Sequence, residues 1–208
     1  MLDRYAIKII RWPINITAKL VHKTGMKADQ VTLLGFVLGL MCFPALALQE
    51  YNIALGFIAL NRILDAVDGA VARIQGITDS GGFLDITLDF LFYSLVPFGF
   101  VVADPSANAV AGAFLIFAFI GTGTSFLAFA IMASKQNIEN PVYKNKSLYY
   151  IGGLTEGTET ISCFILLCLF PQYFSQIAYG FAALCWITTA SRIWAGYHTL
   201  KTVNSEHP

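Results

Sequence analysis

Charged residues are scarce in this chain of 208 residues. Asp, Glu, Lys and Arg make up 12% of it, whereas 56% is hydrophobic and the mean hydropathy is +0.64. Soluble domains carry roughly 25% charged residues and interrupt their apolar runs, so this composition excludes an ordinary soluble domain. Lys and Arg together number 13, and so do Asp and Glu. The net charge therefore indicates nothing about nucleic acid, and we expect no nucleic-acid partner.

Cysteine and histidine are also few. The four cysteines lie inside apolar segments, with no CxxC pair and no neighbouring histidine cluster. This placement is typical of small buried side chains and argues against zinc ligands or disulfides. The three histidines lie near the termini, too scattered to form a metal site. Neither residue type predicts a functional site.

Long apolar segments are what the chain has in abundance. A bilayer-spanning helix needs about 20 residues, and backbone groups inside lipid must be satisfied within the segment. We therefore predict an all-α integral membrane protein with six transmembrane helices. The spans are expected at about 30–49, 51–74, 82–104, 107–132, 153–171 and 173–197. We expect one membrane domain over 1–208, with a leader at 1–29, the bundle at 30–197 and a tail at 198–208.

The basic residues predict the orientation of these spans. Cytoplasmic loops of membrane proteins are enriched in Lys and Arg. Basic side chains here occupy the leader, the end of the second span, the 133–152 loop and the segment after the last span, and the other three connections have none. We expect both termini and every basic loop on the cytoplasmic side of a bacterial inner membrane.

The leader mixes apolar and basic residues in "YAIKIIRWPINITAKLVHKTG". This pattern is typical of an amphipathic helix lying in the headgroup plane, although Pro13 is expected to interrupt it. The alternative is a basic flank with no specific shape.

Four aspartates stand where charge is costly. Asp65 and Asp68 are three residues apart, and Asp85 and Asp89 are four apart, so each pair shares one helix face. A hairpin between the second and third spans would bring the two pairs together. We expect the four carboxylates to converge in one pocket that opens to the cytoplasm.

Such a cluster needs positive charge. Arg62 and Arg73 supply two cations, too few for four carboxylates. Oxygen-only ligands favour Mg²⁺, Mn²⁺ or Ca²⁺ over zinc, and two such ions can clamp a phosphate during displacement. Gly69 and Ala72 leave the helix face bare for an anionic ligand, and Arg73 at the rim can pair with phosphate. The alternatives are a structural ion-pair network and a cation or proton pathway of a transporter.

The segment that carries these acids resembles the signature of the CDP-alcohol phosphotransferase family, DxxDGxxAR followed by GxxxDxxxD. The matching residues are Asp65, Asp68, Gly69, Ala72, Arg73, Gly81, Asp85 and Asp89. Seven residues separate Arg73 from Gly81, one fewer than in the family pattern, and the tandem Gly81–Gly82 can absorb the difference. The leader and the predicted spans are similar to those of bacterial inner-membrane members whose alcohol substrate is unassigned.

The resemblance implies an activity and a role for each motif residue. Family members transfer a substituted phosphate from a CDP-linked donor, here expected to be CDP-diacylglycerol, to an alcohol, and they release CMP in phospholipid biosynthesis. By similarity, Asp65, Asp68 and Asp85 would hold Mg²⁺ or Mn²⁺, with two ions expected. Asp89 would act as a further ligand or, as we prefer, as the base for the acceptor hydroxyl. Asp68, Gly69, Ala72, Arg73 and Gly81 would line the CDP site. The resemblance also implies a homodimer surrounded by membrane lipids.

The acceptor is less constrained. Glu156 and Glu159 in "GGLTEGTET" share a helix face near the expected mouth of the site, and Lys135 and Arg192 are candidate basic partners, as are two lysines of the 133–152 loop. Two glutamates in the pocket would favour an uncharged polyol or an amino alcohol over a phosphomonoester. The alternative is that they pair with Arg192 or the loop lysines.

Overall fold

The computed structural model describes residues 3–136, 138 and 153–206, and every regular element within these ranges is helical. The described helices are α1 (Asp3–Lys23), α2 (Ala28–Leu40), α3 (Cys42–Ala47), α4 (Tyr51–Gln75), α5 (Asp79–Ala103), α6 (Pro105–Lys135), α7 (Gly157–Leu169) and α8 (Phe174–Glu206), with a 3₁₀ turn at Pro171–Tyr173. The all-α prediction is confirmed over this part of the chain. One detail of the sequence prediction was wrong, because α1 continues through Pro13. Helix α8 extends to Glu206, into the segment expected to be the tail.

Length and apolar composition mark three helical stretches as able to cross a membrane: Ala28–Ala47, Asp79–Ala103 and Pro105–Lys135. A fourth span results if α7 and α8, which meet at a bend of 114°, are counted as one broken span. Helix α4 has 25 residues, but it carries Arg62, Asp65, Asp68 and Arg73, so composition alone does not single it out. Each of the six predicted segments contains helix, while the count of six spans stays a prediction.

The helices pack around an aromatic core and expose an apolar exterior. Phe92, Phe100, Phe164 and Phe174 are fully buried where α5, α7 and α8 meet. On α6, by contrast, side chains such as Val110 point outward with 73% of their surface exposed. A helix that is apolar on its outer face as well as its inner face is typical of a membrane interior.

Helix α2 packs along both α4 and α5. Gly35 and Gly39 of α2 allow this approach: the Gly35 carbonyl oxygen accepts a hydrogen bond from Asn61 Nδ2 at 2.9 Å, and a Cβ on Gly39 would lie 2.8 Å from the same nitrogen. The second half of α1 packs against α4 through a smaller cluster that includes Ala18 and Val71. Helices α1 and α2 thus enclose the end of α4 where the motif lies.

A short turn joins α4 to α5. Gly76 ends α4 with φ of +102°, a backbone conformation that favours glycine. Thr78 then caps α5, because its Oγ1 accepts a hydrogen bond from the Gly81 amide at 3.1 Å. This turn sends α5 back alongside the end of α4, as the hairpin prediction required. Helix α5 begins at Asp79, slightly before the expected start.

Candidate active site

Three of the four aspartates form one compact group. Asp65 and Asp68 extend from α4 and Asp85 extends from α5, and one carboxylate oxygen of each lies within 4.8 Å of the others. Asp68 is 4% exposed, whereas Asp65 and Asp85 are half-buried. The helical spacing and the short turn at Gly76 are sufficient to produce this convergence.

The group has the properties of a divalent-cation site. Oxygen Oδ2 of Asp68 is buried and has no hydrogen-bond partner among the described residues. A buried carboxylate oxygen without a partner is energetically costly unless a cation binds it. Among the described residues the group has one ion pair, in which Arg62 Nη1 lies 3.7 Å from Asp65 Oδ2. Three carboxylates beside one arginine leave an excess of negative charge. The residues present therefore fit Mg²⁺ or Mn²⁺, both of which prefer oxygen ligands.

Asp89 lies one turn further along α5 and is held differently. Its Oδ1 accepts a hydrogen bond from Arg62 Nη2 at 2.8 Å, and it is not part of the three-carboxylate group. A small cavity of about 10 Å³ separates the acids and is lined by all four aspartates together with Asn61 and Arg62. The four predicted acids thus lie close together, with Asp65, Asp68 and Asp85 in one group and Asp89 outside it.

A large open cavity of about 860 Å³ lies over the ends of α4 and α5. The five residues predicted to bind nucleotide all line it: Asp68, Gly69, Ala72, Arg73 and Gly81. A Cβ on Gly81 would lie 3.0 Å from both Asp29 Oδ1 and Thr78 Oγ1, so glycine is needed for this close approach. A Cβ on Gly69 would meet only Arg73 Nη1, at 3.6 Å, which leaves that side of α4 open to a ligand.

The same cavity has lining residues that the motif does not include. His22 and Lys27 come from α1 and the turn after it, Thr32 comes from α2, and Gln75 ends α4. The Gln75 side chain ties these elements together: Nε2 donates to the Met26 carbonyl at 2.8 Å, and Oε1 accepts from the Ala28 amide at 3.1 Å. These contacts join segments 47 and 49 residues apart, so no local sequence pattern could have revealed them.

A second cavity, of about 230 Å³, has Asp89 in its wall. Glu156 and Arg192 line it, as do Tyr93 and several threonines. Ile86 and Phe126 line both cavities, so the two spaces adjoin. Arg192 is 7% exposed; its Nη1 donates to the Thr122 carbonyl at 3.1 Å, and its guanidinium carbon lies 5.7 Å from the centre of the Phe126 ring.

The two glutamates are placed by the start of α7. They form a capping box, in which Glu159 Oε2 accepts from the Glu156 amide at 3.1 Å and the Glu156 carboxylate accepts from the Glu159 amide. Glu156 also accepts from the Gly153 amide at 3.2 Å. Of the four residues expected at the acceptor pocket, Glu156 and Arg192 line the second cavity, whereas Glu159 and the exposed Lys135 do not. The two loop lysines, Lys144 and Lys146, lie outside the described residues.

Sequence reasoning missed the partners of Arg62. Arg62 Nε donates to Asn61 Oδ1 at 2.7 Å and Nη1 donates to the Tyr93 hydroxyl at 3.2 Å. One signal in the sequence pointed to these contacts: Asn61 and Arg62 lie in the same apolar segment as Asp65 and Asp68. Polar residues inside membrane helices commonly mark function.

Comparison with known proteins places these features in a family. The sequence profile for CDP-alcohol phosphatidyltransferase matches residues 26–194. Inner membrane protein YnjF of Escherichia coli K12 is 55% identical over 206 residues, which cover 99% of this chain and 100% of the relative. Archaetidylinositol phosphate synthase of Pyrococcus horikoshii is 34% identical over 100 residues, or 48% of this chain and 53% of the relative.

Solved structures of a mycobacterial enzyme share the fold. The crystal structure of Mycobacterium tuberculosis phosphatidylinositol phosphate synthase PgsA1 with manganese and citrate matches with a TM-score of 0.67 at 18% identity, covering 88% of each chain. The structure of the same protein with CDP-DAG bound matches with a TM-score of 0.64 at 18% identity, covering 88% of this chain and 93% of the other. At this identity the likeness is one of fold.

Proposed function

The chain belongs to the CDP-alcohol phosphatidyltransferase family, and from that premise we propose that it transfers a phosphatidyl group from CDP-diacylglycerol to an alcohol, with release of CMP. The observation that carries this proposal is that the clustered acids line two adjoining cavities. Asp68 and Asp85 line the large cavity and Asp89 lines the smaller one. A two-substrate transfer needs such an arrangement, with donor and acceptor on opposite sides of the reacting phosphorus.

The large cavity suits the CDP part of the donor. Arg73 and Lys27 at its wall can neutralise phosphate oxygens, and the open face at Gly69 leaves room for the nucleotide. Asp65, Asp68 and Asp85 would hold Mg²⁺ or Mn²⁺, with two ions proposed. When bound, such ions would neutralise the donor pyrophosphate and favour the departure of CMP.

Asp89 is placed to act on the acceptor. In the proposed reaction it accepts the proton of the acceptor hydroxyl, the acceptor oxygen forms a bond to the phosphorus of the phosphatidyl group, and the bond from phosphorus to the CMP oxygen breaks. The position of Asp89 on the second cavity, apart from the three-carboxylate group, supports the role of base over that of ligand.

The first test is nucleotide binding by the detergent-solubilised protein. We expect CMP to bind in the presence of Mn²⁺ and the binding to disappear in EDTA, because the carboxylates alone repel the phosphate. CMP release from CDP-diacylglycerol in mixed micelles with a panel of alcohols then tests the transfer. An absence of Mn²⁺-dependent CMP binding would contradict the proposal.

For the acceptor we propose an uncharged alcohol, not a phosphomonoester. Two carboxylates, Asp89 and Glu156, line the second cavity, and a phosphate dianion beside them would be repelled. Arg192 also lines it and supplies one cation against these two carboxylates. The panel should therefore pair glycerol with glycerol 3-phosphate and inositol with inositol phosphate. Faster turnover of the phosphorylated member of either pair would overturn this assignment.

We also propose that the protein is a homodimer of single-domain chains, each with six spans and with α1 lying in the headgroup plane of the membrane. The site and both termini would lie at the cytoplasmic face of a bacterial inner membrane. The basic residues near the site, including Lys27 and Arg73, support this sidedness. Labelling of single cysteines placed at Glu50 and Ile77 tests it, because these exposed positions lie just beyond opposite ends of α4. We expect an impermeant thiol reagent added to intact spheroplasts to label the first position and not the second.

A further inference from the structure

Arg62 is the residue that touches both groups of aspartates. Its Nη2 donates to Asp89 Oδ1 at 2.8 Å, and its Nη1 lies 3.7 Å from Asp65 Oδ2. The side chain is 14% exposed, and its guanidinium carbon lies 4.8 Å from the centre of the Phe92 ring and 5.3 Å from that of Tyr93. An arginine packed in this way has its donors fixed in direction.

Arg62 is anchored through its neighbour Asn61. Its Nε donates to Asn61 Oδ1 at 2.7 Å, and Asn61 Nδ2 donates in turn to the Gly35 carbonyl at 2.9 Å. Asn61 is 3% exposed, so this chain of hydrogen bonds is buried and joins α2 to α4. The backbone of α2 therefore fixes the orientation of the guanidinium, and the guanidinium fixes that of the Asp89 carboxylate.

We propose that Arg62 is a positioning residue that keeps Asp89 out of the ion site formed by Asp65, Asp68 and Asp85 and holds it at the second cavity. This inference rests on the proposed transfer reaction, in which Asp89 is the base. Without the hydrogen bond from Arg62, the Asp89 carboxylate can turn toward the small cavity that all four acids line and become a further oxygen ligand. The ion would then be held more tightly and the acceptor hydroxyl would lose its base.

Loss of the Arg62 guanidinium should therefore strengthen ion binding and slow the transfer reaction. Arg62→Gln removes a cation beside Asp65 and releases Asp89, so we expect Mn²⁺ to bind about tenfold more tightly. CMP release from CDP-diacylglycerol should fall about a hundredfold, within the range for loss of a positioned base. A structural role alone would weaken ion binding and transfer together. Titration of Mn²⁺ by electron paramagnetic resonance, with the full-length protein in detergent and no substrate, measures the first quantity.

Arg62→Lys is the second variant and keeps the charge. A lysine cannot donate to Asn61, Tyr93 and Asp89 in the same planar arrangement. We expect Mn²⁺ affinity within about threefold of the wild type, because the cation remains, and CMP release lower by about tenfold or more. Wild-type transfer by this variant would overturn the proposal.

A double-mutant cycle completes the test. If Arg62 acts through Asp89, Arg62→Gln combined with Asp89→Asn should release CMP no more slowly than Asp89→Asn alone, because effects of residues that act as a unit do not add. Additive losses would contradict the proposal, as would weaker Mn²⁺ binding by Arg62→Gln. Lys201→Gln removes one cation from the exposed end of α8 and serves as the matched control, with Mn²⁺ affinity unchanged.

The two proposals can fail separately. A wild-type protein that neither binds CMP with Mn²⁺ nor releases it from the donor would contradict the transferase function, while the substrate-free Mn²⁺ titration would still report on Arg62. A wild-type protein that transfers, with Arg62 variants that lose Mn²⁺ affinity and activity in parallel, would contradict only the role of Arg62.

Discussion

Asp68→Asn should change the stability of the protein in opposite directions with and without metal. The carboxylates of Asp65, Asp68 and Asp85 converge within 4.8 Å, and Asp68 Oδ2 has no hydrogen-bond partner among the described residues. Two unit charges at that distance repel by about 3 kcal/mol at an effective dielectric constant of 20. Arg62 and the solvent around the half-buried Asp65 and Asp85 screen this repulsion, so Asp68→Asn should remove about 1 to 2 kcal/mol of it.

In EDTA, therefore, the asparagine variant should be the more stable protein. The amide also gains a donor that the carboxylate lacks, and it can donate to a neighbouring carboxylate oxygen. A change of 1 kcal/mol moves the unfolding temperature of a chain of this size by about 2 to 4 °C, so an increase of a few degrees is expected.

With Mn²⁺ bound, the wild type should be more stable than the asparagine variant. A ligand present at 100 times its dissociation constant stabilises the folded state by about 2.7 kcal/mol, and the wild type should gain this amount while the variant, which lacks one ligand oxygen, gains little. The assay is thermal unfolding of purified protein in detergent, in EDTA and across a Mn²⁺ titration. Asp104→Asn is the matched control, because Asp104 is an exposed helix cap far along the chain from the cluster and asparagine caps helices equally well. A variant that is less stable in EDTA, and that gains as much from Mn²⁺ as the wild type, would refute the reasoning.

Three further predictions use other residues. Asp89→Asn should lower CMP release by about 10² to 10⁴ and leave Mn²⁺-dependent CMP binding within about threefold of the wild type; a parallel loss of binding would make Asp89 mainly a ligand. Gly39→Ala should destabilise the protein by about 1 to 3 kcal/mol in thermal unfolding, because the new Cβ would lie 2.8 Å from Asn61 Nδ2; unchanged stability would show that the α2 and α4 backbones are further apart. Hydrogen bonds from the Ser106 hydroxyl and the Ala107 amide hold the pKa of Asp104 below its usual value, so the stability that this cap contributes is present at neutral pH and is lost as the pH falls through the lowered pKa. Asp104→Ala should accordingly lower the unfolding temperature at pH 7 more than at pH 3, and an equal effect at both would contradict the assignment.

The position of the acid cluster was predictable because it depends on local rules. Helical periodicity fixes which side chains share a face, and the Gly76 turn is short enough that α5 must return beside α4. From these two facts the convergence of Asp65, Asp68 and Asp85 follows with no knowledge of the remaining helices. The nucleotide-site glycines were predictable for the same reason, since they lie on the same hairpin.

The separation of Asp89 was not predictable, because it depends on contacts between distant segments. Arg62 and Asp89 are 27 residues apart, and Asn61 and Gly35 are 26 apart. Sequence spacing showed that two cations were too few for four acids, but it could not show which acid the arginine would hold. The role of the glutamates was open for a related reason. Two glutamates three residues apart at the start of a helix predict a capping box as readily as a ligand pocket, and only the fold shows that one of them faces the second cavity.

The charges on α4 also explain why this helix lies where it does. A helix with Arg62, Asp65, Asp68 and Arg73 has too many ionised groups for its whole circumference to face lipid. In the described part of the chain α4 packs against α1, α2, α3 and α7, and its polar side chains line the large cavity and the small cavity that all four acids share. Its lipid-compatible residues, such as Ile53 and Ile63, are more than half exposed, so the apolar and polar sides of the helix are separated. A helix that carries the charges of the site is thus kept from lipid by its neighbours, and two of these also contribute to the site: α7 lines the second cavity, and α2 accepts the buried hydrogen bond that anchors Arg62.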